Sequence, residues 1–271
     1  SCYYMSCWKY WPKIEEIAEK LEEYGVDSLN DLNTLDDVNL NEITILLDEI
    51  EVIAHDEEGD TARMISGALN LIDQGIDALV IAPIEPEAMP IVSDAAREAG
   101  IKLVVLDTGY NGADIDAFIV SDSLGGGVLA GEYALELIED HNITSKNVAI
   151  ITVEDKFVYA RRRGNGFRSV MEDFGYHVVA ELPGNSNSLD GYYAMKTILN
   201  QYGDDLAVVF AENDRMALGA AQAIREAGKT DQIMLIGFDA EPTAIRAIKD
   251  GLMQGTIGQN SFQMGELGVE T

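Results

Sequence analysis

VVFAENDRMALGA, residues 208–220, runs from an apolar strand through a polar turn into a helix. Its strand ends on Asn213 and Asp214. Two later segments repeat the pattern. LIGFDAEP (235–242) ends its apolar run on Asp239, and GTIGQN (255–260) ends on Gln259 and Asn260. Strands that feed directly into helices point to a parallel α/β sheet, in which ligands bind just past the carboxyl ends of the strands. An amide, a carboxylate and a second amide at three such ends suit a small polyhydroxylated solute. They supply no nucleophile–base pair.

Working outward, strand-like runs recur from residue 50: IEVIAHD (50–56), DALVIAP (77–83), KLVVLD (102–107), AFIVSD (117–122), NVAIITV (147–153), HVVAEL (177–182), LAVVFAEN (206–213), IMLIGFD (233–239) and GTIGQ (255–259). They are β-branched and nearly continuously apolar, as parallel strands covered on both faces are. Helical runs separate them. DTARMISGALNLIDQG (60–75) puts Met64, Ala68, Leu71 and Ile72 on one stripe and stops at Gly75, a residue suited to ending a helix. PEAMPIVSDAAREAG (86–100) opens with Pro and closes with Gly. This alternation predicts a doubly wound α/β protein.

Nine strands exceed one small sheet, so two lobes are expected. SDSLGGG (121–127) and GQNSFQ (258–263) are the polar stretches that break the alternation and predict crossovers. The expected lobes are 1–121 with 259–271, and 122–258. Ser121, Asp122 and Gln259 are the expected hinge, with a cleft that closes around a ligand. Residues 1–49 fit poorly. WPKIEEIAEKLEEYG (11–25) predicts an amphipathic helix, and the acidic, Asn-rich 27–50 stretch is either a helical insertion or a loop.

The 271 residues carry a net charge of −30, from 48 acidic and 18 basic side chains. Nucleic acid and anionic membranes, which need clustered Lys and Arg, are excluded as partners. A hydrophobic content of 47% is ordinary for a globular chain, and no run approaches the about 18 apolar residues of a membrane span. Cys2 and Cys7 lack further ligands for a metal set. A local disulfide outside the cell or a lipid-bearing Cys2 both remain open. His55, His141 and His177 are dispersed. No metal or cofactor is expected. The opening SCYYMSCWKY lacks an initiator Met, which suggests a processed start.

Together these segments resemble the sugar-binding proteins of ABC transporters of the ribose-binding type, whose two-lobed periplasmic fold is shared with effector domains of lac-repressor-type regulators. The resemblance covers about residues 50–271. It runs through DTARMISGALNLIDQGIDALVIAP, GIKLVVLDTG, VSDSLGGGVLAGEY and ARRRGNGF to the three opening segments. It implies type I periplasmic-binding-protein lobes, a monomer outside the cytoplasm, and delivery of a monosaccharide or polyol to a permease. It also implies ligand roles for Asp107 and Asp239 as carboxylates, Arg161 as hydroxyl donor, Asn213 as amide and Gln259 as hinge-side amide. A carboxylate, an amide and a guanidinium fork can saturate adjacent hydroxyls, which donate and accept at once.

The departures are specific. The family's first strand and its ring-stacking aromatics have no clear counterpart in SCYYMSCWKYWPKI; Tyr10 or Trp11 is a candidate to stack on the sugar, with packing in the core as the more ordinary role for such a side chain. Ala82, Thr108 and Ser186 stand where ribose-type proteins carry a polar residue, an arginine and a nearby aromatic. Another pentose, a hexose or a cyclitol is therefore as open as ribose. The chain stops at GELGVET, where the family continues with a helix and a final strand, so a truncated or differently finished lobe is expected.

Plainer readings compete. Asp239 and Asn213 precede helical runs and could be caps. Two of Arg161, Arg162 and Arg163 are expected to face solvent or acids. Gly125–Gly127 lacks the spacing of a phosphate loop. Asp107 and Asp239 as a glycosidase pair have nothing to set their separation, and no enzyme is expected. A DNA-binding headpiece would be basic. A sensing domain for a chemoreceptor or kinase is the alternative use of the same lobes.

Overall fold

The computed structural model describes residues 3–4, 53–57, 59–154 and 157–270. Tyr10, Trp11, Cys2, Cys7 and the helix expected at 11–25 lie outside them. The chain separates into two compact units, Ser1–Ser121 with Asn260–Thr271, and Asp122–Gln259.

In the first unit, β1 (Tyr3–Tyr4) pairs antiparallel with β2 (His55–Asp56). This differs from the expected parallel strand over 50–56. Within its described part, only His55 and Asp56 are strand, and their partner runs the opposite way. Helix α1 (Thr61–Asp73) follows; the Asp60 side chain accepts from the Arg63 N–H at 2.8 Å and caps it. Then come β3 (Ala78–Ile81), α2 (Met89–Ala99), β4 (Lys102–Leu106) and β5 (Ala117–Ile119). β3, β4 and β5 form one parallel sheet in that order, with Ile81 beside Val105 and Leu106 beside Ile119. The period-2 pleat sends Leu79, Ile81, Leu103 and Val105 to one face, where they pack with Met64, Leu71, Met89 and Val92 of α1 and α2.

The second unit contains α3 (Ser123–Asp140), β6 (Asn147–Thr152), α4 (Val158–Asp173), β7 (His177–Pro183), α5 (Ser188–Tyr202), β8 (Val208–Ala211), α6 (Asp214–Glu226), β9 (Met234–Asp239), α7 (Pro242–Lys249) and β10 (Gly255–Gly258). Its five strands are parallel, in the order β10-β9-β8-β6-β7. Alternation decides the two faces. Val148 and Ile150 of β6, with Val208 and Phe210 of β8, meet α3 and α4 through Ala134, Phe167 and Met171. Ala149 and Ile151, with Val209 and Ala211, meet α5, α6 and α7 through Met195, Met216 and Ala244. Phe167 and Phe210 stack at 4.9 Å between centroids, each wholly buried. Burying a side chain of that size stabilises by about 1.5–3 kcal/mol.

The glycine-rich stretch expected as a crossover is mostly helix, since α3 starts at Ser123. A Cβ on Gly127 would lie 2.0 Å from the Arg163 carbonyl oxygen, and one on Gly166 2.3 Å from that of Leu124. The glycines let α3 and α4 meet backbone to backbone. The chain ends in α8 (Ser261–Glu270) of the first unit, opened by the Asn260 side chain accepting from the Gln263 N–H at 3.0 Å. Gly268 brings α8 against Val80 and Leu106, on the sheet face opposite α1 and α2. Low apolar periodicity in SFQMGELGVE hid this helix from the sequence pattern.

Candidate ligand-binding site

β6 lies between β7 and β8. The chain therefore winds to one side after β6 and to the other after β7, which makes the β6/β8 gap a topological switch point. Such gaps are where open parallel sheets bind ligands, at the carboxyl edge. The polar side chains of the second unit gather along that edge.

Glu212 follows β8 and is 1% exposed. Its carboxyl accepts from the Val153 N–H at 2.8 Å, tying the ends of β8 and β6. Burial pushes its pKa from the ordinary 4.5 up to about 8; the hydrogen bond from Val153 and the charge of Arg163 oppose the rise without cancelling it. The carboxyl is thus largely neutral at pH 7.

Asn213 is the N-cap of α6, its side-chain oxygen accepting from the Met216 N–H at 3.1 Å. The capping and ligand readings are compatible, because the cap uses Oδ1 and leaves Nδ2 without a recorded partner among the described residues. Asp214, wholly buried, accepts from the Glu241 N–H and the Thr256 hydroxyl, both at 2.7 Å. Burial raises its pKa to about 6 against those two bonds. Thr256 in turn accepts from the Ala240 N–H at 3.2 Å. This clamp holds an unusual turn, since Asp239 and Ala240 have φ of 111° and 56°. Non-glycine residues in that region store strain and persist only where the surroundings fix them.

Asp239 does not cap α7. The N-cap there is Glu241, with no side-chain cap bond. Instead, the Asp239 Oδ1 accepts from Gln259 Nε2 at 2.6 Å and faces an Arg163 guanidinium nitrogen at 3.3 Å. A carboxylate accepts only, so it fixes the Gln259 amide with nitrogen inward. The Gln259 Oε1 is left buried without a partner. Arg163 was not singled out from the sequence; Arg161 was. Arg161 and Arg162 are exposed on α4, whereas Arg163 is 2% exposed. Arg163 shares a helical face with Ala160, Phe167 and Met171, and that i, i+4, i+8 spacing is the signal that separates it from its neighbours. It donates to the Glu212 carbonyl at 2.7 Å, and its guanidinium lies 3.9 Å from the Phe238 ring centroid.

Ser186, after β7, donates to Glu154 at 3.4 Å. Asp122 caps α3 through the Gly125 N–H at 2.9 Å. In the first unit, Asp107 follows β4 with φ of 63°, its N–H donating to the Ile119 carbonyl at 2.8 Å. Thr108 and Ala82 are half-buried at neighbouring strand ends, and the Ser121 hydroxyl contacts the Met264 sulfur at 3.3 Å. No group of three metal-ligating side chains occurs among the described residues, and no helix among them is long and apolar enough to cross a membrane.

The sequence profile of the periplasmic binding protein domain matches residues 44–271. The chain is 30% identical over 227 residues to the ribose import binding protein RbsB of Escherichia coli, covering 81% of this chain and 72% of that protein. It is similar to an ABC transporter solute-binding protein of Bacillus halodurans solved with bound myo-inositol, at 28% identity and a TM-score of 0.68, over 79% of this chain and 73% of that one. A solute-binding protein of Actinobacillus succinogenes with bound D-allose superposes with a TM-score of 0.70 at 26% identity, over 80% and 76%.

Proposed function

The chain belongs to the periplasmic binding protein family, and we propose that Asn213, Asp239 and Gln259 bind its sugar through the carboxyl edge of the second unit. The protein is an extracytoplasmic solute-binding protein of the ribose-binding type. It captures a monosaccharide or related polyol and delivers it to an ABC transporter.

The observation that carries the site is the Gln259 Oε1, a buried acceptor with no partner, beside the Asp239 carboxylate. A buried acceptor left unmatched costs about 1–3 kcal/mol, which a donating ligand hydroxyl recovers. Asn213 Nδ2 offers a donor on the adjacent strand end. Acceptor, carboxylate and donor side by side match vicinal hydroxyls. Exposed Arg161 and, in the first unit, Asp107 are the proposed further donor and carboxylate. Among the described residues, the most perturbed acid of this edge, Glu212, is turned into a backbone bond with Val153 rather than toward an open position.

Ligand choice is proposed to lie outside ribose. Ser186 engages Glu154 where an aromatic would stack, and Ala82 and Thr108 are small. A thermal-shift screen of the full chain against D-ribose, D-allose, D-arabinose and myo-inositol tests this. Saturation at 100 times Kd should add about 2.7 kcal/mol of stability. A shift with none of these polyols sinks the sugar reading, and a shift confined to ribose sinks the ligand assignment.

A further inference from the structure

The row of polar residues at the carboxyl edge of the second unit is longer than the three assigned to the polyol. In the spatial order β10-β9-β8-β6-β7 it reads Gln259, Asp239 and Asn213, then Glu154 past the end of β6 and Ser186 past the end of β7. The topological switch point falls between β8 and β6, so a ligand held there lies between Asn213 and Glu154. Adjacent strands are about 4.8 Å apart, which puts the end of β6 about 10 Å from the end of β9. A solute that touches both Asp239 and Glu154 therefore needs a separate polar group for each.

Glu154 has accepting capacity to spare. It is half-buried, and among the described residues its side-chain partner is the Ser186 hydroxyl at 3.4 Å. That is longer than the about 2.5–3.0 Å of a firm O–H···O bond, and an ionised carboxylate offers about four acceptor positions. Cations elsewhere on the edge are engaged: Arg163 faces Asp239 at 3.3 Å and Arg215 faces Glu241 at 3.4 Å. No ion pair joins Glu154 to a cation among the described residues. Ser186 is held beside it by a loop in an unfavourable conformation. Asn185 and Ser186, neither a glycine, have φ of 49° and 53° in succession. Asp190 grips that loop, accepting from the side-chain amides of Asn185 at 3.0 Å and Asn187 at 2.8 Å. The N–H groups of Gly184 and Asn185 both donate to the Thr152 carbonyl, which ties the loop to the end of β6. Strain of this kind persists only where the surroundings fix it, and here the fixing delivers a hydroxyl to Glu154.

We propose that Glu154 is a specificity-determining residue: with Ser186 it receives the end of the bound polyol remote from Asp239, and it favours an ammonium over a hydroxyl there. The proposal rests on the sugar-binding reading of Asn213, Asp239 and Gln259, and it names a substrate class for that site, an amino-bearing polyol. An ionised carboxylate only accepts, so the ligand group that meets it must donate. A hydroxyl brings one donor. An ammonium brings three, together with the counter-charge that Glu154 lacks, and opposite charges attract more strongly in a half-buried site than in bulk water. A solute with its own carboxylate at that end meets like charge instead. Ser186, which both donates and accepts, turns its hydroxyl to whichever partner the ligand leaves. Because the pair is placed before the ligand arrives, little ordering remains to be done on binding.

Matched pairs of solutes test this on the full chain by titration calorimetry, at a pH where the amine is ionised. The pairs are D-glucose with D-glucosamine, D-galactose with D-galactosamine, and scyllo-inositol with 1-amino-1-deoxy-scyllo-inositol. All six positions of scyllo-inositol are equivalent, so its amine can occupy whichever place the site prefers. In the parent, the amine of at least one pair is expected to bind at least tenfold more tightly than its hydroxyl partner. In Glu154→Gln that ratio should fall below about twofold, while affinity for the neutral member stays within about threefold of the parent. Neutral polyols bound without preference for the amine overturn the proposal alone, and so does a preference that survives in Glu154→Gln. Binding of no polyol, neutral or amino, overturns the sugar reading and the proposal with it. Glu154→Ala carries the same comparison if Glu154→Gln does not fold.

Discussion

Both units end a central parallel strand on an aspartate with positive φ, Asp107 at 63° and Asp239 at 111°. Their surroundings differ. Around Asp239, four buried or half-buried polar side chains converge, from three elements and the segment that follows the last of them: Arg163 of α4, Asp214 of α6, Thr256 of β10 and Gln259 after it. Beside Asp107 the neighbouring strand-end positions hold Ala82 and Thr108. The same backbone device thus sits in a dense polar network in the second unit and has Ala82 and Thr108 at neighbouring positions in the first. The difference teaches that a strained strand end does not by itself define a site. In the second unit a set of buried groups holds one carboxylate, and its turn, in a single arrangement.

That network can be tested by its stability before any ligand is added. The largest expected effect is at Glu212. Its folded pKa of about 8 exceeds the ordinary 4.5, so the folded protein holds a proton that the unfolded chain releases. Its contribution is whole below about 4.5 and is lost as pH rises toward about 8, on the order of a few kcal/mol. Asp214 adds the same sign between 3.8 and about 6. Urea unfolding should show stability declining from pH 5 to pH 8, and Glu212→Gln should flatten that decline. A variant with an unchanged slope breaks the contrast between the units.

Next in size is Asp214→Ala. It strips the acceptor from the Glu241 N–H and the Thr256 hydroxyl, and leaving buried donors unmatched costs about 2–3 kcal/mol. Unfolding in urea reads this directly. A loss below about 0.5 kcal/mol would mean that the turn at Asp239 holds without its clamp. The smallest effect separates cap from ligand contact at Asn213. Asn213→Ser keeps a capping oxygen and should change stability by less than about 0.5 kcal/mol, whereas Asn213→Ala should cost about 1 kcal/mol. Both lose Nδ2, so both should weaken polyol binding alike. Retained affinity in Asn213→Ser would reduce Asn213 to a cap.

The contrast also explains what the sequence could show. Continuous apolar strands such as NVAIITV and IMLIGFD can be read because both sheet faces are covered, and strand-end residues such as Asn213, Asp239 and Gln259 stand where apolar runs stop. Burial of a charge cannot be read in that way. Arg161, Arg162 and Arg163 are chemically identical in the string, and only the face shared with Phe167 and Met171 turns Arg163 inward. Glu212 and Asp214 flank Asn213 as ordinary acids, and their partners, Val153, Glu241 and Thr256, arrive from 27 to 59 residues away. SDSLGGG (121–127) reads as a crossover because nothing local reveals the α4 backbone lying against Gly127.

The most direct measurement compares the parent with Asp239→Ala by titration calorimetry, using whichever of D-allose, D-arabinose or myo-inositol gives the largest thermal shift. The account predicts a saturable one-site interaction in the parent. It predicts at least tenfold weaker binding in the variant, about 1.4 kcal/mol, with the fold retained by circular dichroism. Equal affinity in the two folded proteins would contradict it.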